Sequence, residues 1–335
     1  MKDKIKAFLP MVLFLAIFTG LAVGLWRLTG AVFYLLNFLL IGCSLALGMG
    51  LWPILSHGRK RTARVLSQLL VGGYMFLGLG VGLIYSVFGY LRPEDMQIEG
   101  FWFWLFAGSF AAAVLHYFIA KIFGPLVFGR GWCGWACWTA ALLDVLPWKK
   151  SPGRAPRGWA LLRHGLFAAS LLLVAVLVFG AGYGLPQIAG KVWLHGGTAG
   201  ATRAYANLFE IPELWWFLGG NLLSYAIGIA AAALMKDNRA FCKYLCPIAS
   251  FLKLGSRFSL LKISPDPKKC DMCGACEKKC PMDISIRAYA AANRRVVSSE
   301  CILCQSCIDA CPRGALGFSL GLDGGFKDLL RYKGD

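Results

Sequence analysis

Charged residues are scarce in this chain, and acidic residues are the scarcest of them. Only 16% of the 335 residues are Asp, Glu, Lys or Arg, and 17 Asp and Glu residues stand against 35 Lys and Arg. Soluble domains carry about 25% charged residues, so the composition argues against an ordinary soluble protein. With 58% hydrophobic residues and a mean hydropathy of +0.60, the composition is typical of a membrane protein.

Three sequence signals are also missing. There is no Cys-x-x-Cys-His motif, which is the attachment site of c-type haem. No small-x-small cleavage site separates the first two apolar runs, so we interpret the first run as a membrane helix and not as a cleaved signal peptide. No nucleic-acid recognition motif accompanies the net charge of +18. Since the basic residues lie mostly in loops beside apolar runs, the charge predicts contact with a lipid bilayer and no nucleic-acid partner.

Six apolar runs are long enough to cross a bilayer as helices, which takes about 20 residues each. The predicted spans are 8–26, 31–52, 65–90, 101–123, 159–182 and 213–235. The loops on one side of these spans hold twelve Lys and Arg residues, and the loops on the other side hold four. The positive-inside rule assigns the richer side, with both termini, to the cytoplasm. We therefore expect an all-α, multi-pass protein of the bacterial cytoplasmic (inner) membrane.

Eight of the thirteen cysteines form two runs of identical spacing, at 270–281 and 301–312. Each run reads C-x2-C-x2-C-x3-C-P, in which bacterial-type ferredoxins hold 4Fe–4S clusters, the fourth Cys serving the other cluster. The predicted ligand sets are Cys270, Cys273, Cys276 and Cys311 for one cluster, and Cys301, Cys304, Cys307 and Cys280 for the second. Zinc sites and disulfides are the alternatives to clusters. Zinc sites would leave some of these cysteines without a metal, and disulfides need an oxidising compartment, whereas this segment is predicted to be cytoplasmic.

The order of these features predicts three parts. Residues 1–262 form the six-helix transmembrane domain, and residues 263–318 form a small cytoplasmic ferredoxin-like domain with two 4Fe–4S clusters. Residues 319–335 form a carboxy-terminal tail.

Four further cysteines form two C-x3-C pairs at the predicted cytoplasmic edge: Cys133, Cys137, Cys242 and Cys246. Both pairs follow the pattern Arg-x-aromatic-Cys-x-aromatic-x-Cys, starting at Arg130 and at Arg239. Residues four apart share a helix face, so each pair is expected to present both thiols on one side. Two converging pairs would offer four thiolates to a third iron–sulfur cluster or a tetrahedral metal. Buried structural thiols and redox-active thiols are the open alternatives.

Together these features resemble the NapH/MauN/NosR group of membrane iron–sulfur proteins. The resemblance covers residues 101–312 and rests on the spans, the C-x3-C pairs, the second of them followed by Pro247, and the paired ferredoxin runs. It implies a quinol dehydrogenase component, or electron transfer between the quinone pool and a periplasmic reductase or dehydrogenase system. It also implies cluster ligation by the eight ferredoxin cysteines and a redox role for the other four. NapH-type proteins typically have four spans, whereas six are predicted here.

Other candidate site residues are few. His116 and His164 fall in predicted spans, where a polar group is a functional candidate, so each is either a quinone contact or a bond to a neighbouring helix. Asp144 either moves protons or pairs with a nearby Arg. The loop 197–202 resembles the end of the signature at which FMN is joined to Thr in Rnf- and Nqr-type proteins, which makes Thr202 a candidate. The usual Asp is absent, and a plain Gly/Ala loop without FMN is the expected alternative.

The sequence therefore predicts an iron–sulfur electron-transfer subunit that links the quinone pool to other subunits of a membrane or periplasmic redox complex. Two alternatives stay open. One is an electron-donating assembly factor for a metalloenzyme, and the other is a redox regulator.

Overall fold

The structure is a computed structural model that describes residues 7–56, 59–88, 93–107, 112–183, 208–324 and 328–334. These residues are mostly helical. The α-helices, numbered α1 to α16, are Leu9–Thr29, Val32–Ile54, Lys60–Gly73, Leu83–Phe88, Ile98–Phe106, Ala112–Tyr117, Gly124–Phe128, Gly131–Trp135, Trp138–Val145, Leu162–Ala175, Pro212–Met235, Ala240–Tyr244, Ile248–Arg257, Ala275–Lys278, Ile286–Ala291 and Ser306–Ala310. Short π-helical or 3-10 segments extend some of them, at Tyr74–Gly80, Phe118–Phe123, Arg157–Leu161, Val176–Gly180 and Leu208–Glu210.

Five helical stretches are long and apolar enough to cross a membrane. They are Leu9–Thr29, Val32–Ile54, Lys60–Gly80, Arg157–Gly180 and Pro212–Met235. They correspond to the first, second, third, fifth and sixth predicted spans. The first two form a hairpin, because Gly30 takes the left-handed conformation (φ 71°) and its N–H bonds the carbonyl of Trp26, which ends α1.

The fourth predicted span, 101–123, has no counterpart among these five. Among the described residues, helix α5 ends at Phe106, and the apolar stretch Val114–Phe128 is shorter than the five. The aromatic cluster that opens this span lies inside the protein: the ring of Trp102 is 5.5 Å from that of Phe167 and 5.8 Å from that of Phe251. These aromatic rings therefore pack between helices of the protein, and the number of crossings stays a prediction.

The two runs of cysteines lie between two strands that close the carboxy-terminal part of the molecule. Strand β1 (Leu261–Pro265) pairs antiparallel with strand β2 (Leu316–Leu320), with Leu261 opposite Leu320. We call residues 261–320 the ferredoxin segment. The predicted limits of the ferredoxin domain, 263 and 318, fall within these strands, and the division into three parts stays a prediction.

The ferredoxin segment packs on the helices as part of one hydrophobic core. One cluster of buried side chains runs from Phe14 in α1 to Leu316 in β2. The tail returns across both parts, since Leu330 bridges to Ile284 and Tyr332 bridges to Arg154. This packing sets the distance between the ferredoxin cysteines and the C-x3-C pairs.

Candidate functional site: three sets of cysteines

The cysteines assigned to one ferredoxin cluster surround one cavity. We call them the outer thiol set: Cys270, Cys273, Cys276 and Cys311. Their loop turns through left-handed conformations at Met272 (φ 58°) and Gly274 (φ 76°). Cys273 is exposed and the other three are partly buried.

The cysteines assigned to the second cluster surround a separate cavity. We call them the inner thiol set: Cys280, Cys301, Cys304 and Cys307. Their loop is left-handed at Leu303 (φ 49°) and Gln305 (φ 63°), the positions equivalent to Met272 and Gly274. Two loops of one conformation thus turn their thiols inward, and each fourth Cys lies at the cavity of the other run. The ligand assignment itself stays a prediction.

Burial sets the acidity of the inner thiols. It raises the pKa of Cys280 and of Cys301 to about 12, and it raises that of Cys307 well above the ordinary thiol value, with the neighbouring Cys304 adding to the shift at each. In the outer set, burial raises the pKa of Cys276 to about 11. Because thiols bind metal as thiolates, filling these sites with iron would release protons.

The inner loop lies directly against the helices. The indole N–H of Trp135 donates to the carbonyl of Leu303 at 2.9 Å, and the amide of Gln305 lies 3.3 Å from the sulfur of Met49. Gly134 also belongs to this contact, because a methyl group on it would overlap the carbonyl oxygen of Ile302. The inner thiol set is therefore the one next to the C-x3-C pairs.

A buried carboxylate beside Cys301 holds this contact together. Glu300 is fully buried and forms ion pairs with four cations: Arg130 at 2.5 Å, Lys253 at 2.9 Å, Arg154 at 3.0 Å and Arg163 at 3.1 Å. Burial alone would raise the pKa of Glu300, but these cations hold it well below its usual range. The carboxylate is therefore ionised, and it joins the ferredoxin segment to residues on both sides of the first C-x3-C pair.

A second buried carboxylate orders the two C-x3-C pairs. Asp144 lies 2.5 Å from both Arg64 and Arg239, and Arg239 donates to the carbonyl of Cys133 at 3.1 Å. Burial opposes ionisation of Asp144, but Arg239 and Arg64 lower its pKa. The alternative that Asp144 pairs with a nearby Arg is confirmed.

A third ion cluster ties the second C-x3-C pair to the ferredoxin segment. The buried ammonium of Lys243 lies 2.5 Å from Asp237 and 2.5 Å from Asp283. Arg331 in the tail approaches Asp283 at 3.0 Å. The clusters of Glu300 and Lys243 thus join the ferredoxin segment to the C-x3-C pairs, and the cluster of Asp144 joins the two pairs to each other.

The four cysteines of the C-x3-C pairs line one cavity, and we call them the membrane-edge set: Cys133, Cys137, Cys242 and Cys246. The prediction that each pair shares a helix face is wrong. Helix α8 ends at Trp135, and Cys137 follows it in an extended conformation (φ −70°, ψ 120°). Helix α12 ends at Tyr244, and the next Cys precedes a proline, which disfavours helix. The thiols converge through these short helices and turns.

The cavity of the membrane-edge set has a volume of about 870 Å³ and a mostly apolar lining. It extends to Glu99, Tyr183 and Trp216, which lie on α5 and near the ends of the fifth and sixth predicted spans. Leu173 and Leu223 line it and are also 51% and 62% exposed, so it opens onto the apolar outer surface of the helices.

Lys121 lines this cavity together with Arg130 and the four cysteines. Its side chain is 2% exposed, and its ammonium lies 3.5 Å from the centre of the Trp132 ring. In the described ranges, no Asp or Glu side chain lies within ion-pair distance of it. A buried amine without a carboxylate is costly, which makes Lys121 a candidate for contact with a ligand.

The other predicted site residues lie elsewhere. His116 does not line the cavity; its ring is 5.0 Å from that of Trp132, and its Nε2 is buried without a described hydrogen-bond partner. His164 does not line it either, and its Nδ1 lies 3.0 Å from the hydroxyl of Ser250. Thr202 lies outside the described residues. The quinone and FMN assignments of these residues stay predictions.

Two functional candidates were missed by the sequence analysis, although each left a signal. Lys121 is the one charged residue in the predicted span 101–123. Glu300 stands directly before the first Cys of the second run in a chain poor in acidic residues. The equivalent position in the first run is Lys269. The two runs therefore carry opposite charges at the position where the second run forms its buried ion pairs.

Two 4Fe-4S domain families match the parts of the chain that hold these cysteines. The 4Fe-4S dicluster domain family matches residues 262–312, which hold both ferredoxin runs. The 4Fe-4S binding domain family matches residues 110–154 and 218–265, which hold the two C-x3-C pairs. The chain thus carries 4Fe–4S binding domains, and its thiol-only donor sets fit that cofactor. In the described part of the chain, no three His, Cys, Asp or Glu side chains are placed to share one metal ion.

Relatives that match more than half of this chain include two ferredoxin-type proteins and a putative electron transport protein. The chain is 28% identical to the ferredoxin-type protein NapH of Haemophilus influenzae, over 63% of this chain and 68% of NapH. It is 27% identical to the methylamine utilization ferredoxin-type protein MauN of Paracoccus denitrificans, over 58% and 62% of the two chains. It is 32% identical to YccM of Escherichia coli, over 63% and 57%. The chain thus spans less than two thirds of MauN and of YccM, and no solved structure matches it.

These matches confirm the predicted resemblance and an iron–sulfur electron-transfer role. The residues that the two families match include the cysteines that the structure gathers into three sets. The chain is a NapH/MauN-like 4Fe–4S ferredoxin-type protein.

Proposed function

We propose that this chain is a membrane-bound electron-transfer subunit that links the quinone pool to a partner redox enzyme. The observation that carries the proposal is the cavity of about 870 Å³, which opens onto the apolar outer surface and has the membrane-edge set among its lining. A quinone is apolar and dissolved in the bilayer, so it would enter from that surface. Ligand sites of this kind commonly measure about 300–1,000 Å³ with few polar groups.

The polar groups of the cavity suit a quinone head group. Lys121 is a donor without a carboxylate partner, and its side chain and the thiols line the same cavity. Its ammonium would donate to a quinone oxygen and help to fix the head group beside the membrane-edge set. A hydrogen bond from a charged donor is worth about 1.5–3 kcal/mol.

We further propose that each thiol set holds one 4Fe–4S cluster, the third being in the membrane-edge set. Such clusters supply one-electron exchange without bond changes in the protein. Arg239 supports the third assignment, since its guanidinium lies 3.9 Å from the sulfur of Cys242 and would offset thiolate charge. Arg130 donates to the carbonyl of Cys242 at 3.2 Å and also forms an ion pair with Glu300, which lies beside the inner thiol set.

The orientation belongs to the same proposal. The excess of Lys and Arg on one side supports a cytoplasmic ferredoxin segment in the cytoplasmic membrane. The other subunits of a membrane or periplasmic redox complex would then be the protein partners.

Photolabelling tests the cavity directly. A photoreactive quinone analogue added to the protein in lipid nanodiscs should attach to residues 166–173 and 219–227, which mass spectrometry of peptides would locate. A smaller apolar cavity of about 340 Å³, lined by Phe14, Phe18 and Leu45 of the first two helices, is the internal comparison. Labelling confined to that cavity would contradict the assignment.

Substitution of Lys121 tests the head-group contact. Lys121→Met should raise the KM for a quinol analogue about 10-fold or more, because the charged donor is lost. Lys236→Met is the matched control, since Lys236 also lies over an indole ring, that of Trp148 at 5.1 Å, but does not line the cavity. Equal KM values in the two variants would show that Lys121 does not contact the quinol head group. Normal quinol turnover with failed cofactor loading in a partner would favour the assembly-factor alternative.

A further inference from the structure

We propose that the surface around the outer thiol set is a docking site for a small acidic protein that carries single electrons. The proposal rests on the cluster assigned to the outer set under the proposed function, but it is independent of the quinone site. Its basis is the exposure and the charge of this surface.

Of the two thiol sets in the ferredoxin segment, the outer set is the more accessible. Its cavity is lined only by residues of the ferredoxin segment, between 270 and 316, whereas the inner loop is covered by Trp135 and Met49 of the helices. Cys273 is exposed, and Met272 beside it is 43% exposed. A partner could therefore approach the outer set closely and could not approach the inner set.

The rim of this surface is basic. Its exposed cations flank the outer cysteines in sequence, and we call them the basic rim: Lys268, Lys269, Lys278, Lys279 and Arg313. Two of the five have carboxylates nearby, since Lys269 lies 3.8 Å from Asp266 and Arg313 lies 3.5 Å from Asp271. For the other three, no carboxylate lies within 4.0 Å among the residues that the structure describes. The rim therefore has a net positive charge.

This layout fits a transient protein contact. An apolar centre, supplied by Met272 and the exposed Pro312, is ringed by charges, which is the usual anatomy of an interface. Like-signed rim charges steer an oppositely charged partner and raise its association rate about 10- to 1,000-fold at low salt. The chemistry is balanced: the carrier loses one electron and the outer cluster gains it, with no bond made or broken.

A protein fits this surface better than a lipid head group. The ferredoxin segment contacts the rest of the chain through the inner loop, Glu300, Asp283 and Asp309, and the cavity of the outer set is lined by no residue from the apolar spans. A bilayer around those spans would not lie beside the basic rim. The occupant to which we commit is therefore an acidic one-electron carrier.

Binding of a purified flavodoxin of net negative charge tests the proposal. The iron-loaded protein in nanodiscs is immobilised, and flavodoxin binding is measured by surface plasmon resonance at increasing NaCl. The double variant Lys278→Glu/Lys279→Glu should weaken binding about 10-fold or more, and binding to the unaltered protein should fall as salt rises. Lys149→Glu/Lys150→Glu makes the same charge change at another exposed pair and should alter binding less than about 2-fold.

A second variant and an EPR measurement distinguish the remaining outcomes. If the first variant fails to load iron, Lys268→Glu/Arg313→Glu tests the same rim. Equal weakening by the Lys149/Lys150 control, binding that is insensitive to salt, or a defect seen only when the nanodiscs contain anionic lipid would overturn the proposal. Low-temperature EPR after dithionite reduction is run on every sample: missing cluster signals would refute the proposed function, whereas normal signals without flavodoxin binding would refute only the docking site.

Discussion

The inner and outer thiol sets are built from the same run of residues, yet their surroundings differ. Three of the four inner cysteines are buried, and their loop is bonded to Trp135 and flanked by the ion cluster of Glu300. The outer loop includes the exposed Cys273, and the exposed ion pair of Asp271 and Arg313 lies beside it. One spacing therefore produces one docked site and one accessible site, and the difference comes from tertiary contacts.

The comparison gives the three thiol sets an order. The membrane-edge set and the inner set are joined through Arg130, which bonds both the carbonyl of Cys242 and the carboxylate of Glu300. The outer set has no such link in the described part of the chain. On this account the inner set is the intermediate between the cavity and the exposed end.

Removing the charge of Glu300 should have the largest effect. In Glu300→Gln, three buried guanidinium groups lose their counter-charge, which costs about 3–5 kcal/mol. The free energy of unfolding of the ferredoxin segment, from urea titration followed by cluster absorbance, should fall by that amount. Asp271→Asn in the outer half is the control and should cost less than about 1 kcal/mol, since its ion pair is exposed. Similar losses in the two variants would refute the claim that the inner set is docked on the helices and the outer set is not.

A smaller effect is expected from filling the space at Gly134. Gly134→Ala places a methyl group against the carbonyl of Ile302 and should lower the free energy of unfolding by about 1–3 kcal/mol. Gly317→Ala is the matched control, because no atom lies within 4 Å of its new methyl group. The expected change there is within about 0.5 kcal/mol. If both substitutions are neutral by thermal denaturation, the inner loop does not pack tightly on the helices.

The smallest difference between the inner and outer thiol sets is expected in the metal-free protein, in its response to pH. Burial raises the pKa of Cys280 and Cys301 from about 9 to about 12, so folding favours their protonated form. That contribution to stability is fully present below about pH 9 and is lost as pH rises toward about 12. Iodoacetamide at pH 8 should therefore label the exposed Cys273 first and the inner thiols last, as mass spectrometry would show. Equal labelling of the two sets would mean that they are equally accessible.

The sequence could predict those parts of this site that depend on residues close together in the chain. The outer and inner sets follow from cysteines spaced three or four apart, and the structure gathers each predicted set around one cavity. Convergence of the C-x3-C pairs was predicted from the repeated pattern around Arg130 and Arg239. Five of the six predicted spans correspond to single apolar helices for the same reason, because composition and length decide them locally.

The parts that sequence could not predict depend on distant residues. Glu300 meets Arg130 across 170 positions and Arg163 across 137, and no local pattern pairs them. The packing of the aromatic run that begins span 101–123 could not be predicted either, because such a run looks alike whether it faces lipid or, as Trp102 does, other rings of the protein. The thiols at Cys133 and Cys137 were assigned to one helix face because the turn after Trp135 has no proline or glycine to reveal it.

Iron and acid-labile sulfide quantification on anaerobically purified protein tests the central claim, that the chain has three cluster sites. The account predicts about twelve irons and twelve sulfides per chain, falling to about eight in the variant Cys242→Ser, with EPR signals from the remaining clusters unchanged. About eight irons in the unaltered protein, with no change in Cys242→Ser, would contradict it.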